Sequence, residues 1–173
     1  LAFPVVLKAR RSRFVHDGRW ETGGVGIADS PEALAALARQ PGMQAGALLQ
    51  EFVPGAGEAV FAIARDGECQ AVFAHRRLRE KPPSGGVSVL RESIDPDPVL
   101  LDQSRRLLRD LGWTGVAMVE YRRAPDGRAV LMEINPRFWG SLQLAIDAGV
   151  DFPSLAVAPV SYTHLTLPTN REV

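Results

Sequence analysis

The stretch Leu131-Met-Glu-Ile-Asn-Pro-Arg137 carries the strongest signal in the sequence and is predicted to form the second strand of a β-hairpin. The turn Pro125-Asp-Gly127 precedes it and is typical of hairpins. A hairpin centred just before the turn glycine places Glu120 directly opposite Glu133, with about 4.5–5.5 Å between their Cβ atoms. Asn135 lies two residues beyond Glu133 and therefore on the same face of the strand.

The facing carboxylates of Glu120 and Glu133 repel each other unless a cation lies between them. Together with Asn135 they offer only oxygen ligands, which suit a hard ion such as Mg²⁺ (or Mn²⁺) better than Zn²⁺. The sequence therefore predicts a metal site at these three residues. The alternative is a solvated strand face that carries unrelated acids, and a bulge in either strand would shift the register.

The composition of the 173-residue chain is that of a globular protein near the length of one domain. The 20 Lys and Arg residues balance the 20 Asp and Glu residues, which argues against general nucleic-acid binding. The longest apolar stretch, residues 59–64, is too short to span a membrane. The single cysteine, Cys69, excludes an internal disulfide and is expected to be a small core residue in a cytoplasmic protein.

Four elements are predicted before residue 54. A buried strand at residues 3–8 is followed by a glycine-rich stretch at 23–26. Ser30 and Pro31 are typical of a helix start, and this helix is expected to reach about residue 39. A second strand follows at residues 47–53.

The remainder of the chain is predicted to alternate strands and helices around tight turns. Asp66-Gly67 indicates a hairpin between strands at 58–65 and 70–77. The further elements are a strand at 87–91, a helix from Asp97 to Gly112 with an apolar face at Leu100, Leu101, Leu107, Leu108 and Leu111, and a helix at 141–148 that Gly149 ends.

The last fourteen residues, 160–173, change character abruptly and resemble a translated sequencing-library adapter. We therefore expect this segment to be a non-native tail that is poorly ordered and makes no contact with a functional site. Tyr162 and His164 accordingly carry no functional weight.

Residues 131–137, together with Val119-Glu-Tyr121, resemble the metal-binding end of the ATP-grasp superfamily. The resemblance extends in order from Phe3 to Phe152. It implies an α+β fold in which two α+β subdomains with antiparallel sheets grip ATP between them. Residues 1–53 would form the small (lid) subdomain, and residues 54–159 the large subdomain with the metal site.

The resemblance implies that Lys8 contacts the ATP phosphates, although a lysine at a strand end facing water is the simpler alternative. A flexible loop that closes over the phosphates with backbone N–H groups would contain three glycines, Gly23, Gly24 and Gly26. This loop lacks the hydroxyl or basic residue frequent in the family. The insert from Arg11 to Trp20 also departs from a short loop.

The adenine and ribose contacts are implied by the next matching segment. Residues 50–53 resemble the hinge that offers backbone groups and a side-chain acceptor to adenine, which gives the candidates Gln50, Glu51 and Val53. Glu58 matches the acid that binds the ribose hydroxyls, with an exposed edge-strand carboxylate as the alternative. Met132 matches the apolar residue that packs on adenine, but strand alternation favours core packing for its side chain.

Two arginines are implied to act on the transferred phosphate. Arg137 follows the metal ligands and would reach a phosphate or the substrate carboxylate through its planar guanidinium. Arg77 is the preferred cation in the basic run after His75, although a solvated basic strand end is the alternative. His75 itself is expected to be structural.

The resemblance implies an ATP-dependent ligase that activates a small-molecule carboxylate as an acyl phosphate for attack by an amine, with ATP and Mg²⁺ as cofactors. It implies no nucleic-acid or membrane partner and leaves a homodimer of the full-length parent open. The chain alone is expected to be inactive, because an N-terminal region helps to hold the acceptor in the family. The alternatives are a bicarbonate-activating enzyme of the biotin-carboxylase kind and a non-catalytic ATP-binding module.

Overall fold

A computed structural model of the chain describes residues 2–81 and 86–157, and the expected non-native tail at 160–173 lies outside these residues. The chain divides into two compact units, Leu1–Val53 and Pro54–Val173. Both contain antiparallel sheets and helices, so the predicted α+β class is confirmed. Over the described ranges, no helix combines the length and apolar character needed to cross a membrane.

The first unit is built on a three-stranded antiparallel sheet with the order β4-β1-β5. Its elements are β1 (Val5–Ala9), β2 (Arg13–His16), β3 (Arg19–Thr22), β4 (Val25–Ala28), α1 (Pro31–Ala38), α2 (Pro41–Gln44) and β5 (Ala47–Glu51). Leu7 and Ala9 of β1 alternate with partly exposed residues and pack against Met43, with Leu34 and Leu37 of α1 around them. The helices therefore cover one face of this sheet.

The start of α1 is as predicted, since the Ser30 hydroxyl accepts a hydrogen bond from the Ala33 N–H at 3.2 Å. The β2–β3 hairpin, in contrast, was not predicted. Its turn residues Asp17 and Gly18 both have positive φ, 48° and 73°, which is the backbone of a tight two-residue hairpin. The insert between Arg11 and Trp20 is therefore regular structure.

The second unit contains a five-stranded antiparallel sheet with the order β10-β9-β6-β7-β8. Its elements are β6 (Ala56–Arg65), β7 (Glu68–Lys81), β8 (Val87–Ile94), α3 (Pro98–Asp110), β9 (Gly115–Arg123), β10 (Ala129–Asn135), α4 (Leu142–Asp147) and α5 (Phe152–Val157). The Asp66-Gly67 hairpin is confirmed, with positive φ at both residues. Helix α5 was not predicted.

Helices cover both faces of this larger sheet. Helix α3 packs Leu100 and Leu108 against one face, where Val60, Ala62, Ala117 and Val119 are buried. Its Leu111 ends the helix and is exposed, so the prediction of an apolar face is wrong for that residue. On the opposite face Phe61, Phe73 and Met118 form the largest core cluster with Trp139 and Phe152. We call the first face the α3 face and the second the α4 face.

Candidate active site

The predicted pairing of Glu120 with Glu133 is confirmed, because the two residues are direct partners in the β9–β10 ladder. The route to this pairing differs from the prediction. Near the turn the register is one residue off the count, since Arg123 pairs with Ala129. A bulge between Leu131 and Glu133 then restores the expected partners.

Asn135 brings the two carboxylates together. Its side-chain Nδ2 donates hydrogen bonds to Glu120 Oε2 and to Glu133 Oε1, both at 3.0 Å. Glu120 is buried, whereas the other two residues are partly exposed. All three predicted ligands therefore converge on one point of the α4 face.

The donor set at this point fits a hard divalent cation. Glu120 Oε2 and Glu133 Oε1 both approach the Nδ2 atom of Asn135. If the Asn135 amide is flipped, its Oδ1 takes the place of Nδ2, and three oxygen atoms then face one point where a cation could bind. Within the ranges that the structure describes, no three His, Cys, Asp or Glu side chains are grouped to bind a metal ion. The asparagine is therefore the candidate for a third side-chain ligand beside the two glutamates.

Arg77 of β7 lies on the same face of the sheet and reaches this point across β6. Its guanidinium forms an ion pair with Glu120 Oε1, and its NH1 lies 3.2 Å from Glu80 Oε1. Glu80 Oε2 in turn lies 2.9 Å from NH2 of Arg122. Two arginines and two glutamates thus alternate along one side of the site.

Glu80 and Arg122 were not recognised in the sequence. Strand alternation could have found Arg122, because it lies two residues after Glu120 on β9 and so on the same face. No such signal exists for Glu80, because register irregularities between Arg77 and Glu80 interrupt the alternation of β7.

His75 lies beside this group in the core of the α4 face. It is 3% exposed, its Nδ1 lies 3.1 Å from the Ser141 hydroxyl, and its ring packs edge-on against Phe61. Burial, followed by the nearby charges of Arg77 and Arg91, lowers the pKa of His75 from 6.5 to about 4. The ring is therefore neutral at pH 7, in agreement with the structural role expected for it.

In the first unit, Lys8 lies on the sheet face that the helices do not cover. Its direct partners in the neighbouring strands are Val25 and Leu48, both of which are largely exposed. The next row on this face is Ile27, Val6 and Gln50. The predicted phosphate and adenine residues Lys8 and Gln50 thus share an accessible, mainly apolar surface.

The other hinge residues do not share this surface. Glu51 pairs with Val5 and therefore lies in a row of the opposite, helix-covered face. Val53 follows β5 and is buried. Of the predicted hinge side chains, the structure brings only Gln50 onto the face of Lys8.

The three predicted loop glycines do not form one flexible loop. Gly26 lies within β4, and a Cβ added there would lie 2.6 Å from a methyl carbon of Leu37 in α1. The Gly23 N–H already donates to the Ser12 carbonyl, and the Gly24 carbonyl accepts from the Ala9 N–H. Strand pairing and helix packing therefore account for the positions of these glycines in this structure, and their contact with the ATP phosphates stays a prediction.

Glu58 is not brought to the carboxylate site. It neighbours Ala59, the direct partner of Glu120, so its side chain lies on the α3 face instead. There both of its carboxylate oxygens accept hydrogen bonds from Arg123 at 2.8 Å, and Arg123 also bonds Asp97 at 2.8 Å. The alternative of an exposed edge-strand carboxylate is wrong, because Glu58 is buried on a central strand, and the ribose role of Glu58 stays a prediction.

Two further predicted residues are exposed. Met132 lies at the bulge of β10 and is 41% exposed, so the preference for core packing is wrong. Arg137 follows the strand, and its NH1 donates to the carbonyl of Phe138 at 3.1 Å. Both side chains are therefore accessible to a ligand.

A family model described as "ATP-grasp in the biosynthetic pathway with Ter operon" matches residues 44–171, well over half of the chain. The match includes the hairpin with Glu120, Glu133 and Asn135, and it also extends over most of the segment expected to be non-native. A comparison with curated proteins finds no match.

Solved structures share the fold. The L-amino acid ligase of Bacillus licheniformis has a TM-score of 0.62 at 16% identity, covering 91% of this chain and 38% of that chain. The biotin carboxylase of Campylobacter jejuni has a TM-score of 0.67 at 14% identity, covering 90% and 36%. The N5-carboxyaminoimidazole ribonucleotide synthetase of Thermotoga maritima has a TM-score of 0.59 at 22% identity, covering 95% and 42%. This chain thus spans about two-fifths of each of them.

Proposed function

Since the chain belongs to the ATP-grasp family, we propose that it is the nucleotide- and metal-binding part of an ATP-dependent ligase. The ligase would activate a small-molecule carboxylate as an acyl phosphate and pass the acyl group to an amine. The observation that carries the proposal is the convergence of Glu120 and Glu133 on the amide of Asn135, within the matched segment. That the whole protein uses a small-molecule carboxylate and an amine as its substrates is also part of this proposal.

In this proposal Glu120, Glu133 and Asn135 hold Mg²⁺ or Mn²⁺, which would offset the negative charge of the ATP phosphates. Arg77 and the exposed Arg137 supply further positive charge to the transferred phosphate and the substrate carboxylate. Lys8 is assigned to the phosphates and Gln50 to the adenine edge. The apolar surface around them, with Val25 63% exposed, is chemically suited to a purine ring.

The proposed chemistry needs no nucleophile from the protein. A substrate carboxylate oxygen attacks the γ-phosphorus of ATP, the bond to the β–γ bridging oxygen breaks, and ADP leaves. The amine nitrogen then attacks the acyl carbon, inorganic phosphate leaves, and the amine proton passes to solvent. The protein positions the reactants and stabilises charge, a role that suits a site of arginine, glutamate and asparagine.

The metal assignment is tested by nucleotide-dependent Mn²⁺ binding to the chain. Glu133→Gln removes one ligand charge, so the affinity for Mn²⁺ in the presence of ATP should fall more than tenfold, or about 1.4 kcal/mol. Glu68→Gln is the matched control, because Glu68 is exposed at the start of β7 and pairs with Arg109. Equal Mn²⁺ affinity for Glu133→Gln and wild type would refute the assignment.

The reaction class is tested in the full-length protein that carries this chain. Phosphate release should require ATP, a carboxylate and an amine together. ADP release that depends on bicarbonate would instead indicate the carboxylase alternative, and nucleotide binding without acceptor-dependent turnover would indicate a binding module.

A further inference from the structure

Glu120 has both of its carboxylate oxygens engaged by the protein's own side chains. Oε1 is paired with Arg77, and Oε2 accepts from Asn135 at 3.0 Å. The repulsion between Glu120 and Glu133 is thus offset by a guanidinium and an amide. A divalent cation that binds both glutamates must therefore compete with Arg77 for Glu120.

The path of Arg77 to Glu120 depends on a glycine. Arg77 is on β7 and Glu120 is on β9, and β6 lies between these two strands. A Cβ added to Gly57 of β6 would lie 2.6 Å from Cδ of Arg77 and 3.0 Å from Oε1 of Glu80. The bare backbone at this position leaves room for the arginine to cross the middle strand.

The charges around Arg77 favour the observed position of its side chain, and Glu120 is one of two glutamates that bind its guanidinium. Arg91 is the direct partner of Arg77 on β8, and the repulsion between these like charges favours a side chain directed away from β8. Glu80 holds the same guanidinium and is itself neutralised by Arg122. Arg77 therefore keeps an anchor when it leaves Glu120.

We propose that Arg77 is a built-in counter-ion that occupies Glu120 until a divalent cation displaces it, which frees the guanidinium for the anion that the metal brings. This proposal rests on the proposed function. When the metal binds Glu120, the guanidinium groups of Arg77 and Arg122 share the single negative charge of Glu80. These three residues together then carry one unpaired positive charge. That charge suits a phosphate group, and metal binding and phosphate binding become coupled through one side chain.

The test is Mn²⁺ affinity of the chain without nucleotide, measured by electron paramagnetic resonance of the free ion. Arg77→Gln removes the competitor, so Mn²⁺ should bind about tenfold more tightly than to wild type. Arg76→Gln is the matched control, because Arg76 is the adjacent residue, is exposed and pairs with Glu92. Its Mn²⁺ affinity should equal that of wild type.

A second variant keeps the charge and removes the path. Gly57→Ala places a methyl group against Arg77, so the guanidinium should lose Glu120 and Mn²⁺ should again bind more tightly than to wild type. Circular dichroism verifies the fold of each variant. Either folded variant that binds Mn²⁺ no more tightly than wild type overturns the counter-ion proposal.

The outcomes separate this proposal from the proposed function. If wild type binds Mn²⁺ with ATP but neither variant tightens the nucleotide-free affinity, the counter-ion proposal alone fails. If wild type and both variants show no Mn²⁺ binding even with ATP, the metal site and hence the proposed function fail as well.

Discussion

Replacing His75 with glutamine is expected to remove most of the acid sensitivity of the Pro54–Val173 unit between pH 7 and pH 5. Burial and the charges of Arg77 and Arg91 lower the pKa of His75 from 6.5 to about 4 in the folded protein. The unfolded chain therefore binds a proton at a higher pH than the folded chain does. The contribution of the neutral His75 side chain to the free energy of unfolding is complete above pH 6.5 and is lost as the pH falls towards 4.

The size of the effect follows from this difference in pKa. Each pKa unit corresponds to about 1.4 kcal/mol, so the full contribution of His75 approaches about 3 kcal/mol. Between pH 7 and pH 5, the free energy of unfolding of wild type should fall by about 2 kcal/mol through this one residue. A neutral glutamine side chain has no proton to gain, so the variant should show little of this decrease.

Urea unfolding followed by tryptophan fluorescence measures the effect, because Trp139 is buried in the same cluster as Phe61. His16→Gln is the matched control, since His16 is 45% exposed at its side chain and lies on the β2–β3 hairpin of the other unit. The control should retain the wild-type decrease. An equal decrease in the His75→Gln variant would refute the assignment of the acid sensitivity to His75.

Three substitutions, the last with a control variant, test the scaffold around the site by thermal and urea unfolding. Asp97→Ala removes the carboxylate that accepts hydrogen bonds from the Val99 and Leu100 N–H groups and from Arg123. The free energy of unfolding should fall by about 1–2 kcal/mol, and a change near zero would contradict the capping role. Burial tends to raise the pKa of Asp97, but the two backbone hydrogen bonds and Arg123 hold it below its ordinary 3.8. Wild type should therefore lose the contribution of Asp97 to the free energy of unfolding below about pH 4, whereas Asp97→Ala has no such contribution to lose. Tyr121→Phe leaves the buried Ser104 hydroxyl without the 2.8 Å hydrogen bond and should cost about 1–2 kcal/mol, whereas equal stability would show that another group replaces it. Gly26→Ala should cost about 1–3 kcal/mol through overlap with Leu37, whereas Gly24→Ala, whose Cβ would have no neighbour closer than 3.8 Å, should be near neutral; equal effects of the two would contradict the packing argument.

The hairpin shows how far the sequence could predict the site. Counting from the turn gave the correct partner for Glu120, but next to the turn each residue pairs one position away from its expected partner, and the bulge at Met132 compensates. A bulge at a methionine has no mark in the sequence, because neither glycine nor an interrupted apolar pattern accompanies it. The pairing was predicted from the count alone, and it is correct because the unexpected bulge offsets the unexpected register next to the turn.

Local signals predicted most of the elements, and their omissions have a physical explanation. Asp66-Gly67 and Asp17-Gly18 are the same turn signal, yet only the first lies between clearly apolar strands. Residues 13–16 and 19–22 are mostly exposed, so these strands have no buried face that would require alternating apolar residues in the sequence. An exposed hairpin can be found from its turn residues, whereas its strands give little evidence.

Glu58 and Glu120 show why a motif alone does not assign a carboxylate to a site. Both are buried glutamates on adjacent central strands, but Glu58 pairs with Tyr121, the residue after Glu120. This offset of one residue sends the two side chains to opposite faces of the sheet. On the α3 face Glu58 and Asp97 both bind Arg123, which joins β6, β9 and the start of α3. On the α4 face Glu120 meets Glu133 and Asn135, so the network of Arg123, Glu58 and Asp97 lies behind the proposed metal site. A substitution at Arg123 should therefore act first on stability, and a substitution at Arg77 first on metal binding, although both arginines pair with a glutamate of the same sheet.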